Sequence, residues 1–205
     1  MSAALTLETP RVSWEDYERV LEASEEKLEF RNGVIVAMAG GTEAHSLIKS
    51  NLVASLHTAF RKRPCRVYDS DMKVKVEANH QGLFPDASVV CGHSTFDNLF
   101  RRSLLNPNLI VEVTSASTSE CDHGKKFWHY RHLDSLHTYV LISSEQVLVE
   151  VFERLNGNEW RLRTFEQAAD TVKLEHLELE LPVADFYEKT TVTEYQPSAP
   201  EAEAL

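Results

Sequence analysis

One short segment, residues 109–115, constrains the fold more than any other part of this sequence. Its letters, LIVEVTS, begin with a run that is apolar except for one glutamate. A short run of this kind, rich in β-branched residues, is typical of a strand buried on both faces in the middle of a sheet. Such a strand needs other elements packed on each side. The sequence therefore predicts an α/β domain in layers.

The segments around this strand predict helices mixed with hairpins. Ser13 is a plausible N-cap for an amphipathic helix, and residues 43–61 place their apolar residues on one helix face until Pro64 ends the pattern. Asn32-Gly33 between alternating apolar runs is the strongest short-range hairpin signal. We therefore expect a central mixed sheet flanked by helices, with additional hairpins. Further strands are predicted in residues 65–69, 72–78, 83–90, 137–143, 147–155, 159–165 and 177–182, and a possible helix in residues 94–105.

The length of 205 residues suits one ordinary domain. We expect a flexible lead-in over 1–12, a single domain over 13–189 and a mobile Pro/Ala/Glu-rich tail over 190–205. No long uncharged apolar stretch and no secretory signal are visible, so the expectation is a cytoplasmic protein without membrane contact. The cysteines are odd in number and widely spaced, which suggests buried, inert thiols rather than a disulfide framework; they are Cys65, Cys91 and Cys121.

Two carboxylates stand where apolar residues are expected. Glu112 lies inside the predicted buried strand, and Asp86 follows Phe84-Pro85 directly before another apolar run. An unpaired buried charge costs several kcal/mol, so each needs a cation, a metal or a proton. If the two strands are neighbours, the carboxylates converge and require a cation between them. The spacing alone leaves open a second interpretation, in which each acid has only a structural role. In that case each acid forms a salt bridge or lies at an edge of the sheet.

The chemistry of these two carboxylates predicts a magnesium site. Mg²⁺ takes oxygen ligands and usually only one or two protein carboxylates, with water and phosphate oxygens in the remaining positions. Lys126 follows the Glu112 strand at the start of a helix that Asp122 could cap, so its ammonium can reach back over the strand end. There it would orient a water molecule or neutralise developing charge.

Five segments, taken in order, resemble the Uma family of putative restriction endonucleases, within the PD-(D/E)XK nuclease superfamily. The resemblance covers about residues 13–188, and it rests on five motifs in register rather than on any single one. These motifs are EFRNGVIVAMAGGTEAH, SDMKV, FPDASVV, NLIVEVTSAST and D-H-G-K-K-F-x-x-Y.

The resemblance implies a restriction endonuclease-like core, a Mg²⁺ or Mn²⁺ cofactor and DNA as the substrate. Asp86 and Glu112 would be metal ligands, with the backbone carbonyl of Val113 as a third. Glu29 matches an early acidic residue of the metal shell, and His45 matches a histidine of the GTxxH segment.

The sequence departs from the superfamily pattern at Thr114, where a lysine is expected two residues after Glu112. In the Uma family that lysine moves to the following helix, and Lys126 matches its position. The departure, together with a net charge of −11 that disfavours tight binding to phosphates, keeps a second hypothesis open. In that hypothesis the protein is a catalytically inactive, nuclease-like binding or regulatory domain.

Several further residues are weaker candidates. Tyr130 shares a helix face with Lys126, and we expect its side chain to pack in the core. His129 and His132 share a face but lack a third ligand for zinc. A homodimer through the outer hairpins, residues 147–165, is also possible. Other weak candidates are Asp71 near the site and a phosphate-binding turn of Ser115, Ser117 and Thr118.

Overall fold

A computed structural model describes residues 11–38, 40–97, 102–115 and 121–194 of the chain, with only the backbone for 121–123. Residues 1–10 of the predicted lead-in and 195–205 of the predicted tail lie outside it, so the proposed domain limits stay predictions. None of the described helices combines the length and apolarity needed to cross a membrane.

The regular elements alternate in type along the chain. The helices are α1 Trp14–Ala23, α2 Glu43–Phe60, α3 Phe127–Tyr130 and α4 Val183–Phe186, and a π-helical segment Cys121–Lys126 runs directly into α3. The strands are β1 Leu28–Arg31, β2 Val34–Ala37, β3 Cys65–Asp69, β4 Lys73–Val76, β5 Gln81–Leu83, β6 Ala87–Cys91, β7 Ser103–Leu104, β8 Leu109–Thr114, β9 Thr138–Ser143, β10 Val149–Asn156, β11 Glu159–Phe165, β12 Thr171–Leu174 and β13 Leu179–Pro182.

Local signals start the two long helices where the sequence predicts. The Ser13 side chain accepts a hydrogen bond from the Asp16 amide ahead of α1, and Thr42 does the same for the His45 amide ahead of α2. Each bond satisfies an amide that has no partner within its helix. The α2 face that carries Ile48, Leu52, Leu56 and Phe60 is buried against the sheet.

Both predicted hairpins are confirmed. Asn32 and Gly33 have φ values of 49° and 88°, and positive φ at both central residues is what a type I′ turn requires. This turn joins β1 to β2, which pair antiparallel. The second hairpin joins β10 to β11 around Gly157, with an irregularity in register between Arg154 and Asn156.

A six-stranded mixed sheet forms the centre of the molecule, in the order β11-β10-β9-β8-β6-β3. β8 lies in its interior between antiparallel β6 and parallel β9, and all six of its residues are buried. One face of the sheet packs against α2, α4 and the β12–β13 pair. The other face packs against α3 and a second sheet, β2-β1-β5-β4-β7. The α/β fold class with flanking helices and a central β8 is thus confirmed.

Two predicted segments differ from the structure. Residues 83–90 do not form one strand, because the chain leaves the second sheet after β5 and enters the central sheet at β6. Pro85 lies in this crossing and cannot donate a ladder hydrogen bond. The predicted helix at 94–105 is also wrong in the described part, where Phe96 bridges to Leu104 and β7 pairs with β4.

The prediction of inert, unpaired cysteines is wrong for two of the three. Cys65 and Cys91 form a disulfide between β3 and β6, where they face each other in the antiparallel register. Their separation of 26 residues contains no local signal for this pairing. Strand register brings them together, and register is a tertiary property.

Removing this disulfide is expected to lower the free energy of unfolding. A cross-link over a loop of this length contributes about 2–4 kcal/mol, mainly by restricting the unfolded chain. We expect Cys91→Ser to show this loss in urea unfolding followed by circular dichroism, and wild type treated with dithiothreitol to match the variant. Identical unfolding of wild type with and without the reductant would contradict the expectation.

Candidate active site

Pairing of β6 with β8 brings Asp86 and Glu112 to the same end of the central sheet. The ladder ends at the pair Ala87 and Val111. Asp86 and Glu112 are the next residues beyond this pair at this end, and they therefore lie side by side. One carboxylate oxygen of Asp86, Oδ2, accepts a hydrogen bond of 2.8 Å from the Val113 amide. The two strands are therefore neighbours, which is the condition that the sequence argument set for the two acids to converge.

Glu112 is buried, with 2% of its surface exposed. Its side chain lies on the sheet face that packs against α3. Lys126 Nζ lies 3.0 Å from its Oε2, and the Tyr130 hydroxyl donates to its Oε1 over 3.2 Å. These contacts supply the cation and the donor that a buried carboxylate needs.

Tyr130 remains a neutral phenol and thus a hydrogen-bond donor. Burial raises its pKa well above the ordinary value, and the nearby charges of Glu112 and Glu29 raise it further. The sequence favoured core packing for this residue. The structure confirms that packing and adds the bond to Glu112, which the spacing of four residues from Lys126 could have suggested.

Lys126 acts on both acids. It is itself buried, whereas its neighbour Lys125 is exposed. Besides pairing with Glu112, its positive charge contributes to lowering the pKa of Asp86. The π-helical segment that carries Lys126 begins at or before Cys121, so Asp122 lies within it rather than ahead of it, and the side chain of Asp122 is outside the described ones.

Asp86 is held as an ionised carboxylate. Burial by itself raises its pKa, but a hydrogen bond and charge from His45, the Val113 amide and the charge of Lys126 together lower the pKa below its usual value. His45 Nε2 lies 3.4 Å from Asp86 Oδ2. The Thr42 cap fixes this histidine at the first turn of α2, and so the helix aims it at the site.

Glu29 supports the site from the second sheet and is 1% exposed. The Arg31 guanidinium binds its Oε2 at 2.6 and 3.0 Å, and its Oε1 accepts from the Phe84 amide at 3.2 Å. Glu29 therefore holds the backbone two residues before Asp86. Sequence reasoning missed Arg31, although its position on the same strand face as Glu29 was a usable signal.

Thr114 and Val113 complete the end of β8. Thr114 is buried, and its carbonyl accepts from the Ser144 amide at 2.8 Å. In an extended strand the N–H and C=O of one residue point to the same side of the strand. The Val113 carbonyl therefore faces the side on which its amide meets Asp86.

The weaker candidates lie away from this cluster or outside the described residues. Asp71 forms a surface ion pair with Lys27 at 2.6 Å. His129 and His132 both contact the Trp128 ring. Ser115 follows β8 directly and is partly buried, while Ser117 and Thr118 lie outside the described part.

Cation binding at this site would use hard oxygen donors. Over the described residues, no group of three or more His, Cys, Asp and Glu side chains has an arrangement that could hold a metal ion. Two carboxylates and one carbonyl nevertheless match Mg²⁺, which usually retains several waters and takes only one or two protein carboxylates. The donor chemistry therefore fits Mg²⁺ or Mn²⁺ better than zinc, which prefers nitrogen and sulfur.

Comparison with known proteins identifies a family. The Uma2 family, described as putative restriction endonuclease, matches residues 14–184. Similar relatives include two uncharacterized proteins of Synechocystis sp. (strain ATCC 27184 / PCC 6803 / Kazusa). The first, slr1290, is 32% identical over 87% of this chain and 92% of its own length. The second, sll1609, is 30% identical over 69% of this chain and 80% of its own length.

A solved structure shares the fold. The crystal structure of a putative nuclease belonging to DUF820 from Anabaena variabilis superposes with a TM-score of 0.70 at 17% identity. The match covers 86% of this chain and 97% of the other. Because the family pattern covers most of the chain and two relatives reach 30% identity, the chain belongs to the Uma2 family of putative restriction endonucleases.

Proposed function

We propose that the protein is an endonuclease that hydrolyses DNA phosphodiester bonds with the help of Mg²⁺ or Mn²⁺. The observation that supports this most is the meeting of a buried acid, a partly buried acid and a buried lysine at one end of the central sheet. Asp86 and Glu112 come from adjacent strands, and Lys126 reaches Glu112 from the following helix. Family membership and fold support a nuclease in general, and this cluster supports the finer assignment.

In this proposal Asp86, Glu112 and the Val113 carbonyl hold the cation. When bound, such a cation lowers the pKa of a water molecule and stabilises charge on a phosphate oxygen. Asp86 is already ionised, so it needs no proton release before it binds a cation. Glu112 is presented to the site in a fixed orientation by the Tyr130 hydroxyl.

The remaining residues position the acids and neutralise charge. Lys126 places a positive charge beside Glu112, where it would neutralise the negative charge that develops on phosphate during hydrolysis. His45 orients Asp86 through their 3.4 Å contact. Glu29, which is paired with Arg31, accepts a hydrogen bond from the Phe84 amide. This bond fixes the backbone two residues before Asp86. We assign Glu29 and His45 as positioning residues.

Replacing Asp86 with alanine is expected to reduce plasmid cleavage to background, because one of two protein carboxylates for the cation is lost. The measurement compares nicking of supercoiled plasmid in Mn²⁺ by wild type and Asp86→Ala. Asp185→Ala is the matched control, because Asp185 is exposed on α4, away from the site, and it should cleave like wild type. Equal cleavage by Asp86→Ala and wild type would rule the proposal out.

A second candidate is a nuclease-like domain that binds a partner or nucleic acid without catalysis. The ion pair of Lys126 with Glu112 favours it, because the pair already neutralises Glu112 without a metal. The net charge of −11 points the same way. Calorimetric titration of the wild type with Mn²⁺ separates the two candidates, since only the endonuclease requires the cation to bind.

The homodimer through residues 147–165 and the cytoplasmic location stay predictions. The hairpin does expose Leu155 and Leu162, which are 55% and 49% accessible. β11 is also an edge strand of the central sheet.

A further inference from the structure

We propose that a cavity beside α3 binds one unpaired nucleobase of a DNA strand, stacked on the indole of Trp128. This inference deepens the proposed function, because it names the form of the substrate that the same site engages. The cavity measures about 360 Å³ and is lined by Gly124, Lys125, Trp128 and His129. Sites for small organic ligands begin at roughly 300 Å³, so the space suits a group the size of a base with its sugar.

Trp128 is the main support for this proposal. Its surface is 48% exposed, although indole is a large apolar group that is usually well buried. The Arg131 guanidinium lies 5.8 Å from the ring centroid, over the ring. His129 and His132 meet the ring at steep angles, with centroids 5.1 and 4.9 Å away. A base stacked on Trp128 would use the ring face that Arg131 does not cover.

The remaining lining groups suit a base and its phosphate. Lys125 is exposed and brings a positive charge that a strand phosphate would meet. Burial lowers the pKa of His129, and the charges of His132 and Arg31 lower it further. A neutral imidazole carries one donor and one acceptor. His129 forms part of the cavity wall.

The helical segment places this cavity next to the acids. Lys126 and Tyr130 point inward to Glu112, whereas Lys125 and Trp128 are exposed on the outer side of the same turns. A strand that approaches this segment from its outer side would meet Lys125 and Trp128 first. The charge of Arg31, which holds Glu29, also contributes to lowering the pKa of His129.

Stacking also answers the objection raised by net charge. A chain of net charge −11 gains little from non-specific phosphate contacts, which rely on lysine and arginine. Stacking of a base on an aromatic ring does not depend on net charge and tolerates any base. An unpaired base is required, because a base within a duplex is already stacked on its neighbours.

The test measures binding rather than cleavage. A short single-stranded DNA oligonucleotide that carries 2-aminopurine is titrated with the full chain in EDTA, where no cation is available. Stacking on Trp128 is expected to quench the 2-aminopurine fluorescence. Trp128→Ala should weaken binding about 5- to 150-fold, the range for loss of one base–aromatic stack. Trp128→Phe should retain most of the affinity, because phenylalanine keeps a stacking ring.

Leu162→Ala is the matched control, because Leu162 is a similarly exposed apolar residue on β11, and it should bind like wild type. Equal binding by Trp128→Ala and wild type would overturn the proposal, as would equal loss in the Ala and Phe variants. The plasmid assay keeps the two proposals apart. Binding that depends on Trp128 together with cleavage that ignores Asp86 supports the cavity and rejects the nuclease. Cleavage that depends on Asp86 together with binding that ignores Trp128 does the reverse.

Discussion

Lys126→Met is expected to cleave plasmid DNA about 10²–10³-fold more slowly than wild type, the usual loss when one group that stabilises transition-state charge is removed. The variant should bind Mn²⁺ as well as wild type or better. Lys126 is not a proposed ligand, and its ammonium competes with a cation for the charge of Glu112. Cleavage and Mn²⁺ binding should therefore separate in this variant, whereas both should fall in Asp86→Ala.

Two variants accompany this measurement. Lys173→Met removes a lysine that is 57% exposed on β12 and should cleave like wild type. Lys126→Arg keeps a positive charge at the site and should lose less activity than Lys126→Met, which also covers the case in which the methionine variant folds poorly. If Lys126→Met cleaves at the wild-type rate, the lysine has no part in catalysis and the departure at Thr114 remains uncompensated.

Lys126→Met is also expected to lower the free energy of unfolding by about 3–5 kcal/mol, because it removes the ammonium that pairs with the buried Glu112 carboxylate at 3.0 Å. The Tyr130 hydroxyl still donates to Glu112, but one neutral donor does not replace a charge. Urea unfolding followed by circular dichroism measures the loss. Lys125→Met is the matched control, since this exposed neighbour should change stability by no more than about 0.5 kcal/mol.

The double variant Lys126→Met with Glu112→Gln gives the sharper result. Glutamine fills nearly the same space without the charge, so the double variant should be more stable than Lys126→Met alone. Breaking a buried pair costs more than removing both of its charges. If the two single changes simply add, Glu112 and Lys126 do not interact in the folded protein, and the 3.0 Å contact has no energetic meaning.

In the proposed enzyme, the pairing of Lys126 with Glu112 would compensate for Thr114. Thr114 is buried at the end of β8, with its carbonyl bound to the Ser144 amide, and it carries no charge. A lysine has a long flexible stem, so its ammonium can reach the same volume from a helix that packs over the strand. The proposed site thus keeps a lysine charge, although the lysine is at position 126 and not at position 114.

Predictions that rest on short-range sequence signals were accurate, whereas predictions that depend on contacts between distant segments were not. The Ser13 cap and the Asn32-Gly33 turn depend on residues within a few positions, and both were predicted correctly. Residues 83–90 were predicted as one strand because their composition favours extended structure. The chain instead passes between two sheets at Pro85, and no local pattern reveals that a second sheet lies there to receive β5.

The sequence by itself determined that this chain folds as an α/β domain around a buried strand, and that Glu112 in this strand needs a cation, a metal or a proton. Only the tertiary structure decided which group meets that need. It selected Lys126 over Lys125, added Tyr130 and brought Asp86 to the same place through the β6–β8 register. It likewise joined Cys65 to Cys91. The physical reason is that burial follows from composition and periodicity, whereas a specific partner follows from the packing of segments distant in the chain.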